Sequence, residues 1–414
     1  MDYTLDDSDR ALVADLEQAF AGIADRAQAA DSAGELPEQN WTDVIDSGYL
    51  KLFHPAEIGG MKVNGVAQAL AMETLAKACP STFWSATMSG LECVKLIQAH
   101  GDPVEHRALL GQLIRGERVG CFAVVENTSG CDVESYRSTV RRDGSGYVLD
   151  GEKTRITNAT TADVAVVLAR FPETRTGWCY AFVDLRQPGV RTSSLPHMGL
   201  RAMPWGGVVF DAARLSAADV VPVDLRNLRE GVGWGWLFMS IAAIGVAESA
   251  LTAAVRHARR HVAFGRPLGH MEGVRDALAR TRVEIDAARL LAHRCAWHRG
   301  EGRPVQDLLG MLKPFATEMA VRAVECAVQV HGACALTPGH PVERLYRDAP
   351  MHLFGGFAAN RQRELVAEEL GLTVTYQEHG MLMGTGLDKD AIGLPGPRGR
   401  ERNDQAIQDR AAAR

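Results

Sequence analysis

The sequence has little that would indicate a metal, a nucleic acid or a membrane as its partner. Its cysteines form no C-x-x-C pair and it contains no H-E-x-x-H run, so no metal site is predicted. The formal charge of -6 offers no basic surface for nucleic acid or anionic lipid. Gly, Ser or Glu interrupts each long apolar run, so no membrane span is predicted. The contents of 46% hydrophobic and 23% charged residues are ordinary for a globular protein.

The cysteine pattern and the first residues both favour a reducing compartment. Residues 1–7 are acidic and contain no apolar signal-peptide core, which predicts a cytoplasmic location. In such a compartment, scattered cysteines are expected to be buried thiols. They are Cys79, Cys93, Cys121, Cys131, Cys179, Cys295, Cys326 and Cys334.

The length of 414 residues predicts more than one domain. Residues 1–117 are expected to form a helical domain, because apolar residues recur at helical spacing in 11–16 and in 66–75. Residues 118–226 are expected to form a small β-domain, because short runs rich in β-branched residues alternate with Gly and Asp turns.

The helical pattern returns in residues 227–383. Three long helices are predicted, at 237–262, 274–298 and 306–330. Pro314 is expected to kink the third near its start, and a last helix should follow the prolines at 338 and 341. Four helices of this kind predict a bundle whose broad apolar faces imply subunit contacts. Residues 384–414 are rich in Gly, Pro and charge and are expected to be disordered.

Five motifs, in the right order within residues 10–372, resemble those of acyl-CoA dehydrogenases. They are residues 48–60 for the Gly-Leu stretch and P-x-x-x-G-G, 125–132 for T-E-P-x-x-G-S-D, 151–159 for G-x-K-x-W-I-T-N-A, 264–268 for F-G-x-x-I, and 341–349 for P-V-E-R-x-x-R-D-A. The resemblance implies an α+β multi-domain fold, with an N-terminal helical domain, a middle β-domain and a C-terminal four-helix bundle.

The same resemblance implies a flavoprotein oxidoreductase, yet the catalytic base is missing. In this family FAD accepts a hydride from the β-carbon of an acyl thioester while a carboxylate removes the α-proton. The family holds its glutamate at one of two positions, which align with Gly356 and Gly235. His352 is the titratable side chain nearest to the first position and is the candidate base there, although such a histidine is more often a packing residue.

The resemblance assigns FAD contacts to several residues, some of which depart from the family pattern. Arg155 replaces a tryptophan and His261 an arginine, and alanines replace two glycines after Gly332. The assigned contacts are Phe122, Val124, Val125, Cys131, Arg155, Thr157, His261, Phe264, Gln329, Gly332 and Asn360.

Substrate contacts are assigned in the same way, to Cys131, Trp234, Trp236 and Gly356. Cys131 replaces a serine and is interpreted as a small buried residue rather than a nucleophile. The family's F-D-x-x-R, which contacts CoA, aligns with residues 232–236, where the Asp and the Arg are absent and two tryptophans are present. They fit equally a stacking surface for a planar substrate and a subunit contact. An acyl group carried by CoA or by a carrier protein, or a free small molecule, is therefore expected.

Three functions remain open from the sequence. The first is an acyl-CoA dehydrogenase-like oxidoreductase of specialised metabolism, outside standard β-oxidation, whose base is displaced or carried by the substrate. The second is a flavin-dependent monooxygenase on the same fold, which needs no such base. The third is a non-catalytic or flavin-free member that works with a partner subunit. The resemblance also implies a homotetramer or dimer and an electron-transfer partner.

Overall fold

The computed structural model describes residues 3–127 and 130–372, with only the backbone of 226–231, 359–361 and 368. The tail expected to be disordered, 384–414, lies outside the described residues. The described chain consists of a first group of helices, a β-sheet and a second group of helices, and this confirms the α+β class.

The first group of helices begins near the N-terminus and is held by side-chain caps. These helices are α1 (Asp7–Ala19), α2 (Ala21–Ala33), α3 (Glu38–Asp46), α4 (Gly65–Ala78), α5 (Pro80–Thr87), α6 (Val94–His100) and α7 (Arg107–Ile114). The Asp6 carboxylate accepts a hydrogen bond from the backbone N–H of Asp9 at 2.8 Å and so caps α1. Asn64 caps α4 through the N–H of Val66 at 2.7 Å.

A π-helical turn, Met88–Cys93, joins α5 to α6. All six of its residues are buried, among them the charged Glu92. A π turn is a rare distortion of the helix and is found frequently at functional sites. Its Gly90 is required by close packing, because a Cβ there would lie 2.5 Å from a methyl carbon of Leu50.

The middle of the chain forms an eight-stranded sheet. Its strands are β1 (Gly120–Ala123), β2 (Thr139–Asp143), β3 (Gly146–Thr157), β4 (Val164–Arg170), β5 (Trp178–Asp184), β6 (Val190–Ser194), β7 (Trp205–Leu215) and β8 (Val220–Pro222). The order is β6-β7-β3-β2-β4-β5-β8, and β1 pairs in parallel with β4. Alternate residues of β4 pack into two different cores, one shared with the helices and one within the sheet.

The second group of helices follows the sheet. It comprises α8 (Leu225–Arg260), the hairpin of β9 (Val262–Ala263) and β10 (Arg266–Pro267), α9 (Glu272–Gly300), α10 (Gln306–His331), α11 (Pro341–Asp348), α12 (Met351–Phe354) and α13 (Ala359–Glu369). The three predicted long helices are present as α8, α9 and α10. Pro314 lies inside α10, which continues through it.

The prediction of a single last helix is wrong, because the three short helices α11, α12 and α13 take its place. Pro350 follows the end of α11 and cannot donate a backbone hydrogen bond. Gly356 and Phe357, with φ of +57° and +77°, then turn the chain between α12 and α13.

The expectation that no apolar run is long enough to cross a membrane is wrong for helix α8. Residues Val232–Arg260 have that length and composition, and 72% of the apolar window is buried inside the protein. The segment packs against α4, α9 and α10, so core packing accounts for its apolar character.

The expectation that all cysteines are buried is wrong for Cys334, which is exposed in the short helical turn after α10. Cys131 and Cys326 are half-buried, and the other five are buried. All eight are free thiols.

Two residues of the 341–349 motif fix the segment that leads into α12. Arg347 forms a buried ion pair with Asp31 of α2, at 2.5 Å. The Asp348 carboxylate accepts the backbone N–H of Leu200 at 2.5 Å. Gly199 permits this approach, because a Cβ there would lie 1.9 Å from the carbonyl oxygen of Arg347. These contacts join both groups of helices to the sheet beside the cavity described next.

Candidate active site

A cavity of about 530 Å³ lies between the π turn, the strands β1 and β3, helix α8 and the segment 351–358. Its size is typical of a small-molecule site. Its wall is mainly apolar, and its aromatic members are Trp84, Phe122, Trp205, Phe354 and Phe357. Among the described residues that line it, the charged side chains are Glu92 and Arg155.

Several residues assigned from the sequence do line this cavity. They are Phe122, Val124, Val125, Cys131, Arg155, Thr157 and Gly356. Others do not line it: His261, Phe264, Gln329 and Gly332 belong to the second group of helices and its connections. The side chain of Asn360 lies outside the described residues.

A buried ion pair holds the strand end that carries Val124 and Val125. Lys153 Nζ donates to Glu126 Oε1 at 2.8 Å and to the carbonyl oxygen of Val124 at 3.0 Å. Burial lowers the pKa of Lys153 to about 8, against the opposing effect of Glu126. Glu126 also accepts the backbone N–H of Ser138 at 3.0 Å. These two motif residues therefore shape the cavity wall and do not line the cavity.

Thr157 presents a hydroxyl to the cavity. Its partner in the structure is the Met203 sulfur at 3.7 Å, which is a weak acceptor. The next residue, Asn158, fixes this turn, because its side-chain amide donates to the carbonyl oxygens of Ser85 at 2.9 Å and Gly120 at 3.0 Å. Thr157 can therefore hydrogen-bond a ligand that lies along β1.

A tryptophan fills the space beside Gly356, the first of the two positions where the family has its glutamate. A Cβ on Gly356 would lie 3.1 Å from Cδ1 of Trp236, and its φ of +57° opposes any side chain. Trp236 Nε1 donates to the Gly356 carbonyl oxygen at 2.5 Å. Lys313 Nζ holds the same segment by donating to the carbonyl oxygens of Leu353 at 3.1 Å and Phe357 at 2.7 Å.

A carboxylate fills the space beside Gly235, the second position. A Cβ on Gly235 would lie 3.0 Å from Oε2 and 3.1 Å from Oε1 of Glu92. Glu92 is 2% exposed, and Oε2 has no hydrogen-bond partner among the residues that the structure describes. Burial raises the pKa of Glu92 to about 8, and Arg299 opposes that rise.

Sequence reasoning missed Glu92. The available signal was the single acidic residue in the helical segment around 80–97, where burial of a charge needs an explanation. Its relation to Gly235 is a tertiary contact that no local pattern contains.

His352, the candidate base from the sequence, does not line the cavity. Its side chain is fully buried, and Nε2 accepts a hydrogen bond from Trp84 Nε1 at 3.2 Å. Nδ1 lies 3.2 Å from the carbonyl oxygen of Ala349, to which it donates. Burial lowers the pKa of His352 to about 4. Both ring nitrogens have partners, so the geometry indicates a packing histidine.

The structure separates the two tryptophans assigned to substrate. Trp236 is buried behind Gly356. Trp234 lines a second cavity of about 390 Å³, where the Arg299 guanidinium lies 4.1 Å and the Lys95 amine 5.2 Å from its ring centre. The two residues therefore do not form one stacking surface. Within the described residues, no group of three or more His, Cys, Asp or Glu side chains is arranged to hold a metal ion.

Comparison with known proteins gives consistent matches along the chain. Three family models match: acyl-CoA dehydrogenase N-terminal domain at residues 8–117, middle domain at 121–213 and C-terminal domain at 226–371. The benzylmalonyl-CoA dehydrogenase of Aromatoleum aromaticum is 31% identical over 89% of this chain and 100% of its own length. The cyclohexane-1-carbonyl-CoA dehydrogenase of Geobacter metallireducens is 28% identical over 84% and 93%.

A solved structure of glutaryl-coenzyme A dehydrogenase in its glutaryl-CoA complex superposes with a TM-score of 0.85. It is 26% identical and covers 92% of this chain and 99% of its own.

Proposed function

The chain belongs to the acyl-CoA dehydrogenase family, and we propose that it is an FAD-dependent oxidoreductase that acts on an acyl thioester outside standard β-oxidation. The observation that carries the proposal is the 530 Å³ cavity, which is lined by the flavin-loop residues, by Gly356 at the first base position and by Glu92. A buried carboxylate, Glu92, faces that space.

The residues around the cavity fit FAD. Phe122, Val124 and Val125 give one apolar wall for a flat ring, and the Thr157 hydroxyl can hydrogen-bond its polar edge. Cys131 and Arg155 flank the same wall. When bound, FAD supplies the two-electron acceptor for a hydride. The protein supplies the orientation of both molecules and the exclusion of water by the apolar wall.

The proposed substrate class is a bulky or cyclic acyl thioester. The cavity wall is rich in aromatic side chains, including Trp84 and Phe354, and such a wall favours a ring or a branched group over a polar chain. Two relatives are named for benzylmalonyl-CoA and cyclohexane-1-carbonyl-CoA, both thioesters of cyclic acyl groups. The carrier of the thioester, CoA or a carrier protein, remains part of the proposal.

The two other functions open from the sequence have less support. The glycines at both base positions fit a monooxygenase, which needs no α-proton base. That argument loses its force once a carboxylate from another element lies beside Gly235. A non-catalytic role has no support from the cavity, whose wall keeps a buried carboxylate oxygen that has no hydrogen-bond partner within the part of the chain that the structure describes.

We also propose a homo-oligomer, a dimer or a tetramer. Phe264, at the tip of the β9–β10 hairpin, is 93% exposed, and Val283 and Leu290 of α9 are exposed as well. Exposed apolar groups of this kind favour a subunit contact. An interface there would cover this hairpin, and sedimentation of the purified protein measures the assembly. A cytoplasmic location and reoxidation by an electron-transfer protein belong to the same proposal.

The experiment for this function is visible spectroscopy followed by turnover. The purified protein is mixed with FAD, freed of excess and then titrated without oxygen with cyclic and straight-chain acyl-CoA thioesters. The proposal expects bound oxidised flavin that is reduced by a cyclic acyl thioester. A protein that binds no FAD, or bound flavin that no thioester reduces, would contradict it.

A further inference from the structure

We propose that Glu92 is the base that removes the α-proton of the substrate, from a helix that carries neither of the two known base positions. The proposal rests on the function proposed above and adds a catalytic residue to it.

The first support is the place of the carboxylate. In any glutamate the carboxyl carbon lies about 2.5 Å from its own Cβ, two bonds away. The carboxyl carbon of Glu92 lies 3.4 Å from the position of a Cβ on Gly235, and its oxygens lie 3.0 and 3.1 Å away. Glu92 therefore places its carboxylate close to where a glutamate at 235 would place one. The π turn carries this carboxylate, whereas α8 has a glycine at the facing position 235.

The second support is that one oxygen of the Glu92 carboxylate accepts no hydrogen bond from the described residues. Glu92 lines the cavity, is 2% exposed and leaves Oε2 without a hydrogen-bond partner among the described residues. A buried carboxyl group in this state destabilises the fold, so it needs an explanation beyond packing. An oxygen without a donor is the more basic and the more accessible to a substrate C–H bond, and among the described residues Oε2 is in this state.

The third support is that the packing around the cavity explains why both base positions hold glycine. A Cβ on Gly235 would lie within 3.0 Å of the Glu92 carboxylate, and one on Gly356 within 3.1 Å of the Trp236 indole. Both positions are therefore crowded by a side chain from elsewhere in the fold, and Glu92 is the carboxylate that the described cavity wall retains.

The proposed step is a proton transfer. The C–H bond α to the thioester carbonyl breaks, and its proton goes to a carboxylate oxygen of Glu92. The electron pair stays on the substrate as the thioester enolate. Glu92 becomes neutral, a form that its buried site favours. Loss of the β-hydrogen as hydride belongs to the proposed function and is not needed for this step.

The test isolates this step from the redox reaction. Phenylacetyl-CoA has two acidic α-hydrogens and no hydrogen on its β-carbon that could leave as hydride. The FAD-loaded protein is incubated with it in D₂O, and α-deuterium uptake is followed by NMR. The wild type is expected to catalyse exchange, and Glu92→Gln to lower the rate at least about 100-fold, the smallest usual contribution of a general base. Glu35→Gln, an exposed site far along the chain from the cavity wall, is the matched control and should exchange like the wild type.

A pair of further variants separates a base from a structural residue. Glu92→Ala should lose exchange, and the double variant Glu92→Ala, Gly235→Glu should regain part of it, because the second change returns a carboxylate to the vacated space. FAD absorbance and the dissociation constant of the thioester are measured for every variant.

Exchange at the wild-type rate in Glu92→Gln, with FAD and thioester bound, overturns this inference alone. A wild type that binds both ligands but does not exchange also overturns it. A double variant that binds both and stays at the level of Glu92→Ala counts against the assigned place of the carboxylate. A wild type that binds neither FAD nor thioester overturns the proposed function together with this inference.

Discussion

Replacing Glu92 by Gln should change the stability of the protein in a way that depends on pH. Burial raises the pKa of Glu92 to about 8, from an ordinary value of 4.5. The charge of Arg299 on α9 opposes this rise. Burial and the nearby Glu92 in turn raise the pKa values of Tyr180 on β5 and of Cys93. Glutamine is neutral at every pH and has nearly the same shape, so the variant removes only the titration.

The sign follows from the protons bound in each state. Below pH 4.5 the carboxyl is neutral in the folded and the unfolded protein, and charge contributes no difference. Between pH 4.5 and 8 the unfolded protein releases the proton while the folded protein keeps it, so the wild type loses stability as pH rises. Each unit within this window is worth about 1.4 kcal/mol, so the two units from pH 6 to 8 correspond to on the order of 2 to 3 kcal/mol.

The assay compares the denaturation midpoints of wild type and Glu92→Gln at pH 6, 7, 8 and 9. The difference in favour of the variant should grow from pH 6 to 8 and then level off. Glu35→Gln corrects for general effects of losing one negative charge. A difference that stays constant across this range would show that Glu92 is already ionised at pH 6, and the reasoning from burial would be refuted.

Three further outcomes are expected. Gly356→Glu should not raise the rate of dehydrogenation above that of the wild type, and it should destabilise the protein by at least about 1 kcal/mol, because φ is +57° and Trp236 fills the space; denaturation and turnover check this, and a stable, more active variant would refute it. Thr157→Ala should weaken FAD binding by about 1 kcal/mol, roughly fivefold in Kd by flavin titration; unchanged affinity would remove Thr157 from the site. Lys153→Met should leave Glu126 buried without its partner and cost about 3 to 5 kcal/mol in the free energy of unfolding, with loss of FAD binding; wild-type stability would show that the pair does not hold the cavity wall.

The sequence predicted the architecture well because its motifs are tertiary anchors. Glu126 and Lys153 form a buried pair, and Arg347 joins α11 to Asp31. Such residues are recognisable in order along the chain, and they bring the flavin-loop residues to one cavity. The break after α11 was missed because one last helix was expected after Pro338 and Pro341, and Pro350 was given no weight.

The catalytic residues of the site were harder to predict from the sequence. Trp234 and Trp236 were treated as a pair, yet residues two apart on a helix point about 200° apart, so Trp234 lines the second cavity while Trp236 is buried behind Gly356. Glu92 was missed because its π turn has no sequence signature and its contact with Gly235 is long-range. His352 was the candidate base because it lies four residues before Gly356. Its side chain is buried, and each ring nitrogen already has a hydrogen-bond partner.

Anaerobic reduction of bound flavin by a cyclic acyl-CoA, followed in the visible spectrum for wild type and Glu92→Gln side by side, tests both the oxidoreductase activity and the role of Glu92. The account expects the wild-type flavin band to bleach on mixing, and the variant to bind FAD and thioester equally well but to bleach at least about 100-fold more slowly. Equal rates in both proteins would contradict the role of Glu92, and a wild type that holds no flavin would contradict the oxidoreductase itself.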